Sequence, residues 1–377
     1  MSGIPLVDLA AQHREVAEEI DRGLAEVFAT TAFIGGKAVQ EFELAYAELT
    51  EVAHCIGVGN GTDALELALR GVGVVAGGEV VLPANTFVAT AEAVSRIGAV
   101  PVLVDVDDDH LLMDPSKVGA ALTARTQAVV PVHLFGQVAP VEQITQVVAQ
   151  AGVPVVEDAA QSQGATRFGR FAGGLGDAAG TSFYPGKNLG AAGDAGAVTS
   201  QRADVAERVR LIANHGSSRK YVHEVVGVNS RLDTVQAVVL QAKLSRLLAW
   251  NTRRRSAAAR YEQLLGSVPG VRTPRSAPGN VDAWHLYVIR VEDRDAVLDA
   301  LHGAGIGAGI HYPYPVHLTD AYGFLGHPVG TFPVSERAAG EILSLPLHPH
   351  LSEADQVEVA RVVCSAVGHH VGTSFGC

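Results

Sequence analysis

The segment VPVVEDAAQSQGA, residues 153–165, joins an apolar run to two adjacent carboxylates. A strand this apolar is typical of a parallel sheet that helices cover on both faces. Because ligands of such sheets bind at the carboxyl ends of the strands, at least one of Glu157 and Asp158 is expected at a ligand-binding edge. An aspartate there either pairs with a protonated ring nitrogen of a ligand or caps the following turn. Gln161, three residues further on, is within reach of a ring substituent.

Similar apolar runs recur on both sides of this segment and alternate with helical periods. They are VVLP (80–83), PVLVDV (101–106), AVVPVHLFG (128–136), TSFYP (181–185) and GAVTS (196–200). The alternation predicts an α/β fold with a mostly parallel sheet between two layers of helices. From about residue 269 a strand at 284–291, a helix and a Pro-rich aromatic loop indicate a small α+β domain. We therefore expect a large domain over residues 1–245, with an N-terminal helical segment, and a small C-terminal domain over 246–377.

Composition excludes several classes of protein. Hydrophobic residues make up 47% and charged residues 18% of the 377 residues, which is typical of a globular chain. The formal net charge of −12 argues against nucleic-acid binding, because contacts with phosphate backbones need a basic surface. No apolar run is long enough to cross a membrane and the N-terminus does not resemble a signal peptide, so we expect a cytoplasmic protein. The three cysteines are too far apart for a disulfide framework or a cysteine metal site.

An arginine cluster and the C-terminal tail are predicted to lie at the surface or to be mobile. Arg253, Arg254 and Arg255 fall within a predicted helix over residues 232–265, where we expect a solvated or subunit-contacting face. The tail, residues 367–377, has few anchoring residues and is expected to be mobile.

The lysine of SFYPGKNLGAAGDAGAV, residues 182–198, has unusual surroundings. The chain contains five lysines, and four of them lie among polar residues of predicted helices or surface loops: Lys37, Lys117, Lys220 and Lys243. Lys187 instead follows a strand predicted to be buried and precedes a run of small residues. Burial lowers the pKa of an amine, which is what a lysine that reacts with an aldehyde requires. The alternative is a surface lysine in a glycine-rich turn.

A third motif, VGNGTDALELALRG (58–71), places a glycine-rich turn before a helix. Free N–H groups and the helix dipole at such an N-terminus bind phosphate, and Gly61 and Thr62 are in position to contribute. The motif lacks the GK[ST] ending of a nucleotide P-loop and is not GxGxxG, so it favours neither ATP nor a nicotinamide dinucleotide. The amine, the ring partner and the phosphate cradle together match the aldehyde, the pyridine nitrogen and the phosphate of pyridoxal 5′-phosphate (PLP).

Five segments, in this order, resemble the DegT/DnrJ/EryC1/StrS family of PLP-dependent sugar aminotransferases. They are GNGTDAL (59–65), NTFVAT (85–90), EDAAQSQGA (157–165), SFYPGKNLGAAGD (182–194) and GVNSRLDTVQA (227–237). The similarity extends from FIGGKAVQEFE near Phe33 to LPLHPHLSEADQ near Leu345. The resemblance implies the fold of type I PLP-dependent enzymes, which is like that of aspartate aminotransferase, and PLP as the cofactor.

The resemblance also implies roles for individual residues. Lys187 would bind PLP covalently and, once released, move the proton between cofactor and substrate, while Asp158 would hold the proton of the pyridine nitrogen. The other implied cofactor contacts are Gln161 at the ring hydroxyl, Phe87 on the ring face, and Gly61, Thr62 and Ser182 at the phosphate. Asn229 corresponds to a residue that reaches the phosphate of the neighbouring subunit. The resemblance therefore implies a homodimer with shared active sites.

The substrate is also indicated by the resemblance. SFYPGKNLGAxGD resembles the branch that acts at C-3 of a dTDP-linked 3-keto-6-deoxyhexose in deoxyaminosugar and antibiotic biosynthesis, with L-glutamate as the expected amino donor. The predicted sugar contacts are Tyr184, Tyr221, Tyr312, Tyr314 and His317. Packing in the core and a metal site are the alternatives for the HYPYPVHL loop (311–318), but no carboxylate or cysteine stands at a matching spacing, so no metal is expected. One departure is Ala195, where the family usually has glycine.

Other functions remain open from the sequence. A 4-ketosugar or keto-cyclitol aminotransferase keeps the chemistry and changes the substrate. A regulator that binds PLP or a sugar without turnover belongs to another class, and the complete set of Lys187, Asp158 and Gln161 argues against it. A nicotinamide oxidoreductase is disfavoured because GxGxxG is missing.

Overall fold

The computed structural model describes residues 3–368, so most of the tail that was predicted to be mobile lies outside the described residues. The helices are α1 (Leu9–Thr30), α2 (Lys37–Thr50), α3 (Gly61–Gly71), α4 (Val88–Arg96), α5 (Pro115–Ala121), α6 (Val141–Val148), α7 (Ala203–Ala213), α8 (Thr234–Leu244), α9 (Leu247–Leu265), α10 (Arg294–Gly303), α11 (Pro333–Glu341) and α12 (Glu353–Gly368). The strands are β1 (His54–Val58), β2 (Glu79–Pro83), β3 (Val100–Val104), β4 (Thr126–Val129), β5 (Val156–Asp158), β6 (Thr166–Arg167), β7 (Arg170–Phe171), β8 (Ala178–Ser182), β9 (Gly196–Ser200), β10 (Ser217–Arg219), β11 (Val222–His223), β12 (Val271–Arg272), β13 (Asn280–Val281), β14 (Tyr287–Val291) and β15 (Ile342–Leu345).

The central sheet combines two groups of strands. One group has the order β1-β9-β8-β5 and the other the order β3-β2-β4. Parallel bridges from Val129 to Val155 and from Val132 to Asp158 join the two groups side by side. Within this sheet β9 runs antiparallel to both of its neighbours, and β2 with β3, β2 with β4 and β5 with β8 are parallel. The predicted α/β fold with a mostly parallel sheet is confirmed.

Helices on both faces explain why the strands are apolar in the sequence. Every residue of β2, β5 and β9 is buried. On one face, side chains such as Leu65 and Val209 of α3 and α7 pack against the sheet, and on the other, Val118 and Ile144 of α5 and α6 do so. Each fully buried side chain of this size contributes about 1.5–3 kcal/mol. The resulting sandwich holds the carboxyl ends of the strands at one edge.

The structure differs from the predicted elements in three places. The sequence did not indicate β1, because His54 and Gly57 interrupt its apolar pattern. The predicted strand 128–136 has a regular ladder only to Val129, since Pro131 offers no N–H to a neighbouring strand. The predicted helix over 232–265 is two helices, α8 and α9.

Two basic residues that were expected at the surface are buried. Arg254 is 1% exposed, and its Nη1 donates to the carbonyl oxygen of Leu347 at 2.8 Å. Lys243 is 8% exposed, and its Nζ donates to the carbonyl oxygen of Gly190 at 2.6 Å. A helix turns by about 100° per residue, so three consecutive arginines cannot share one face, and only Arg253 of the three is exposed.

The C-terminal part forms a second, smaller layer. Strands β12, β14 and β15 make an antiparallel sheet, and α9, α10 and α12 pack against it around Tyr261, Ile289 and Val363. After β14 and α10 the chain returns to the core of the large domain. There Val316 and Tyr322 pack with residues of α3 and α4. The division at 245/246 falls between α8 and α9 and stays a prediction.

Candidate active site

A cavity of about 500 Å³ opens at the carboxyl ends of β5 and β8, beside the N-terminus of α3. Most of the residues predicted to bind cofactor or substrate line this cavity: Gly61, Thr62, Phe87, Asp158, Gln161, Ser182, Tyr184, Lys187 and Tyr312. The structure therefore brings together the amine, the candidate ring partner and the phosphate cradle, which are up to 126 residues apart in the chain (from Gly61 to Lys187).

The carboxylate of Asp158 forms the floor of the cavity. Its Oδ2 accepts a hydrogen bond from Thr90 Oγ1 at 2.7 Å, and its Oδ1 accepts one from the N–H of Ala160 at 3.1 Å. Thr86 Oγ1 lies 2.7 Å from Thr90 Oγ1 and donates to it, because the hydroxyl hydrogen of Thr90 is used on Asp158. Burial raises the pKa of Asp158, although these hydrogen bonds and the charge of Lys187 oppose the shift. The hydrogen bonds and nearby positive charge thus do not fully compensate the burial of the carboxylate, which suits it to bind a cationic N–H group of a ligand.

The Lys187 amine lies in the same cavity, at the end of a turn that β8 leads into. The N–H of Lys187 donates to the carbonyl oxygen of Tyr184 at 2.8 Å, which closes the turn SFYPGK after the strand. Burial lowers the pKa of Lys187 to about 8, although the charge of Asp158 opposes the shift. A substantial fraction of the amine is therefore neutral near pH 8, and a neutral amine is the form that attacks a carbonyl carbon.

The first turn of α3 lies against the end of β8. A Cβ atom at Gly61 would lie 2.5 Å from the Cβ of Ser182, so glycine is required for this close approach. Asn60 caps the helix, with its Oδ1 accepting from the N–H of Asp63 at 2.8 Å. The remaining first N–H groups of a helix have no intrahelical partner, so here they and the hydroxyls of Thr62 and Ser182 are candidates to hold an anion.

Part of the cavity wall is aromatic. The Phe87 ring lies 4.9 Å from the Tyr312 ring, measured between centroids, and Phe87 is 49% exposed. Gln161 is held by two bonds: its Nε2 donates to the hydroxyl of Tyr312 at 3.0 Å and its Oε1 accepts from the N–H of Phe135 at 2.6 Å. Phe87, Tyr312, Gln161 and Asp158 therefore line the same cavity.

Four residues predicted to bind cofactor or substrate do not line the cavity in this chain. Tyr221 is 81% exposed in the hairpin of β10 and β11, and Tyr314 is exposed beyond Tyr312. His317 is buried, with its Nε2 3.0 Å from Glu336 Oε1. Asn229 is exposed and pairs with Asn214 in an isolated bridge. The contacts predicted for these four residues stay predictions.

Sequence reasoning missed several side chains of the cavity wall. Leu6, Val7, His285 and His311 line the cavity, and Thr90 supports Asp158 from outside it. The N–H of Leu347 donates to the carbonyl oxygen of Leu6 at 3.2 Å, which anchors the N-terminal segment to the small sheet. A histidine at the start of the apolar strand predicted at 284–291 was the one available signal for His285.

Ala195, the departure from the family pattern, is accommodated without strain. It is buried and is not among the residues with positive φ, and its carbonyl oxygen accepts from the N–H of Phe183 at 2.8 Å. By contrast, the neighbouring position 196 requires glycine, because a Cβ atom at Gly196 would lie 2.4 Å from the carbonyl oxygen of Asn60. The extra methyl group therefore leaves the geometry of the turn intact.

Within residues 3–368 no group of three or more His, Cys, Asp or Glu side chains is arranged to hold a metal ion. In the same range no helix combines the length and the apolar character needed to span a membrane.

Residues 14–364 match the model of the DegT/DnrJ/EryC1/StrS aminotransferase family. The chain belongs to this family. It is 47% identical to the erythromycin biosynthesis sensory transduction protein EryC1 of Saccharopolyspora erythraea, over 94% of this chain and 97% of that one. It is 42% identical to a dTDP-3-amino-3,4,6-trideoxy-α-D-glucose transaminase of Streptomyces venezuelae, over 96% of this chain and 95% of that one. The predicted family and aminotransferase activity are confirmed.

Two solved structures have the same fold as this chain. The crystal structure of S. venezuelae DesV superposes with a TM-score of 0.95 at 42% identity and covers 97% of this chain and 98% of that one. Bacillus subtilis NtdA, solved with bound cofactor PMP, superposes with a TM-score of 0.90 at 29% identity and covers 97% of this chain and 86% of that one. The predicted fold of type I PLP-dependent enzymes is confirmed.

Proposed function

We propose that this aminotransferase uses PLP to transfer the amino group of L-glutamate to C-3 of a dTDP-linked 3-keto-6-deoxyhexose. The single observation that carries the proposal is the convergence of Lys187, Asp158 and the α3 cradle in one cavity. Two relatives support the substrate: the S. venezuelae transaminase, and a dTDP-3-amino-3,6-dideoxy-α-D-galactopyranose transaminase of Aneurinibacillus thermoaerophilus that is 41% identical over 96% of this chain.

The residues of the cavity fit PLP group by group. The under-compensated carboxylate of Asp158 suits a protonated pyridine nitrogen, and the N-terminus of α3 with Thr62 and Ser182 suits the phosphate. Phe87 would offer its ring as a stacking face, and Gln161, whose amide is held by Tyr312, would approach a ring substituent. When bound, PLP supplies an electron sink that stabilises negative charge on the substrate carbon.

Lys187 is the group that moves the proton. Since burial lowers its pKa to about 8, its Nζ is able to take a proton from the substrate carbon and return it at physiological pH. Asp158 keeps its partner nitrogen protonated, and Thr90 fixes the orientation of the carboxylate through the bond to Oδ2. Leu6, Val7 and Leu286 give this side of the cavity an apolar wall, which disfavours water there.

The cofactor and donor are tested by one absorbance experiment. Purified protein is mixed with PLP, and spectra are recorded before and after addition of L-glutamate. We expect a visible band that glutamate replaces with a near-ultraviolet band, after which a dTDP-3-keto-6-deoxyhexose restores the visible band and yields a 3-amino product, identified by NMR. A visible band that glutamate leaves unchanged would contradict the donor.

There are two rival functions, and the names of two relatives favour the first, a regulator that binds PLP or a sugar without turnover. The relative EryC1 is named a sensory transduction protein, and a Geobacillus stearothermophilus relative, 42% identical over 97% of this chain, is named a pleiotropic regulatory protein. Protein that forms no visible band with PLP would favour such a binding role. Amination of a 4-ketosugar or a keto-cyclitol in place of the 3-ketosugar would favour the second rival, which keeps the chemistry.

We also propose a homodimer with shared active sites. Asn229 is exposed and lies outside its own cavity, which suits a side chain that reaches the phosphate site of a partner. If it does so, mixing inactive Lys187→Ala subunits with weakened Asn229→Ala subunits should partly restore activity, because one site of each mixed dimer then has both residues. Subunit exchange is checked with differently tagged chains, and exchange without recovered activity would contradict shared sites.

A further inference from the structure

Behind the cavity, a buried amide network surrounds Asn188, the residue after Lys187. Asn188 is 1% exposed and Asn251 of α9 is fully buried. Asn188 Nδ2 donates to the carbonyl oxygen of Ala283 and to Asn251 Oδ1, each at 2.8 Å. Asn251 Nδ2 in turn donates to the carbonyl oxygen of Gln163 at 2.8 Å. The network thus ties the lysine turn to α9 and to the segment that leads into β14.

This network fixes the orientation of the Asn188 amide. A backbone carbonyl only accepts hydrogen bonds, so the group of Asn188 that faces Ala283 must be the NH₂ group. Its oxygen, Oδ1, therefore faces the Nδ1 atom of His285, at 3.2 Å. Because Oδ1 also only accepts, Nδ1 of His285 must carry the hydrogen.

The protonation of His285 follows from the same contacts. A neutral imidazole that carries its hydrogen on Nδ1 has a lone pair on Nε2. Burial lowers the pKa of His285 well below its usual value, and the charges of Lys187 and Arg254 lower it further, so the ring stays neutral. Within residues 3–368 Nε2 has no hydrogen-bond partner, and the ring forms part of the cavity wall.

We propose that His285 is a specificity-determining residue whose Nε2 accepts a hydrogen bond from a hydroxyl group of the hexose, and that Asn188 is the positioning residue that fixes this tautomer. A neutral acceptor recognises hydroxyl donors and gives no attraction to the carboxylates of glutamate. It therefore acts on the sugar and not on the amino donor. The inference rests on the proposed function and adds to it the residue that distinguishes the two substrates.

Binding measurements test this assignment without relying on turnover. The probe is dTDP-3-amino-3,6-dideoxy-α-D-galactose, titrated by calorimetry into the wild type and into His285→Phe, His285→Gln and His348→Phe. His285→Phe keeps a flat ring and removes the acceptor, and should weaken binding about tenfold, as expected for one buried hydrogen bond. His285→Gln, which restores an acceptor, should recover most of this loss. His348→Phe is the matched control, because His348 is also buried but does not line the cavity.

Titration of dTDP alone separates loss of the hydroxyl contact from misfolding. Since dTDP has no hexose, its Kd should change less than about twofold in His285→Phe. Equal weakening of dTDP and of the aminosugar, or unchanged binding of both, would overturn the inference. Failure of the wild type to bind the aminosugar would overturn the proposed function as well, so the two failures are distinguishable.

The role of Asn188 is tested by a double-mutant cycle on the same Kd. Asn188→Ala frees His285 to adopt the other tautomer, and should weaken aminosugar binding about three- to tenfold. If Asn188 acts through His285, the double variant Asn188→Ala/His285→Phe should bind as His285→Phe does. Additive losses would assign Asn188 a general structural role and overturn its assignment as a positioning residue.

Discussion

Glu157 and Asp158 are neighbours on β5, but their carboxylates lie on opposite sides of the sheet and in opposite surroundings. Glu157 accepts from the N–H groups of Gly173, Leu175 and Gly176 and from His133 Nε2, all within 2.8 Å. Burial by itself would raise the pKa of Glu157, but the bonds from His133, Gly176 and Gly173 outweigh it and lower that pKa. Asp158 has two donors and a raised pKa. Glu157 accepts four hydrogen bonds, three of them from loop N–H groups, and so holds these loops together. Asp158 accepts only two from the described residues, which leaves its carboxylate available to a ligand.

The lysines Lys187 and Lys243 differ in a similar way. Lys243 donates to a carbonyl oxygen that is part of the loop after Lys187, and the N–H of Ala192 in that loop donates to Gln236 Oε1 of α8 at 2.8 Å. Lys187 has no side-chain bond among the described residues and faces the cavity. Both amines have a pKa lowered by burial, so burial alone does not distinguish a structural lysine from a reactive one. What distinguishes the two lysines is the open space of the cavity in front of Lys187.

The largest expected effect comes from Lys187→Ala. Loss of the amine should abolish transamination, because both covalent attachment of the cofactor and proton transfer are assigned to Nζ. The fold should be retained, since the side chain makes no hydrogen bond within the described chain. Turnover is measured by glutamate-dependent product formation and folding by circular dichroism. Activity close to that of the wild type would remove the assignment.

The pair Asp158→Asn and Glu157→Gln tests the comparison of the two carboxylates. Asp158→Asn should raise the barrier to proton transfer by several kcal/mol, on the order of 3, with nearly normal stability. Glu157→Gln puts an NH₂ group among N–H donors and should lower the free energy of unfolding by about 2–4 kcal/mol. Single-turnover absorbance measures the first and urea unfolding the second. If both variants changed the proton-transfer barrier, or the free energy of unfolding, by the same amount, the two carboxylates would not have the different roles assigned to them.

The pKa of Lys187 makes stability depend on pH in the cofactor-free protein. The pKa is about 8 when folded and 10.5 when unperturbed, so the unfolded chain binds more protons between these values and stability rises with pH across that window. At pH 7 the full penalty is present, and Lys187→Met should therefore be more stable by about 2 kcal/mol, allowing for the partial exposure of the amine. Urea unfolding at pH 7 and pH 9.5 measures the difference, which should shrink at the higher pH. A difference that is constant with pH would contradict the lowered pKa.

The smallest effect is expected from Lys243→Met. The change leaves the carbonyl oxygen of Gly190 without its donor and should lower the free energy of unfolding by about 1 kcal/mol, because removal of a buried charge offsets part of the loss. Turnover should stay within about threefold of the wild type. Abolished activity in a folded Lys243→Met protein would show that the loop tether, and not only the Lys187 amine, is required for catalysis.

Much of the site was predictable because its signals are local. The turn that holds Lys187, the strand end that holds Asp158 and the glycine turn before α3 each depend on residue types within a few positions of one another. Gly61 illustrates this: the need for glycine arises where a helix begins beside a strand end, and the motif GNGTDAL already indicates that beginning. The resemblance to the family added the roles of these residues and the expected substrate.

Other features were not predictable, because they depend on contacts between distant segments. Asn188 and His285 are 97 residues apart, and nothing in either motif indicates that the two side chains meet. His317 and Tyr314 stand in the same loop as Tyr312, but the packing of His317 against Glu336 turns this part of the loop away from the cavity. Arg254 and Lys243 look like surface residues in the sequence and are buried by the faces of α8 and α9.

By itself, then, the sequence determined the α/β fold and the family, and it predicted the candidate amine, ring partner and phosphate cradle, since strand patterns and turn chemistry act over short distances. The tertiary structure decided which carboxylate of β5 faces the cavity, which of Lys187 and Lys243 is open to a ligand, and which nitrogen of His285 carries the hydrogen. These three outcomes depend on where side chains from separate helices and strands leave space or supply a donor. That arrangement exists only once the layers have packed.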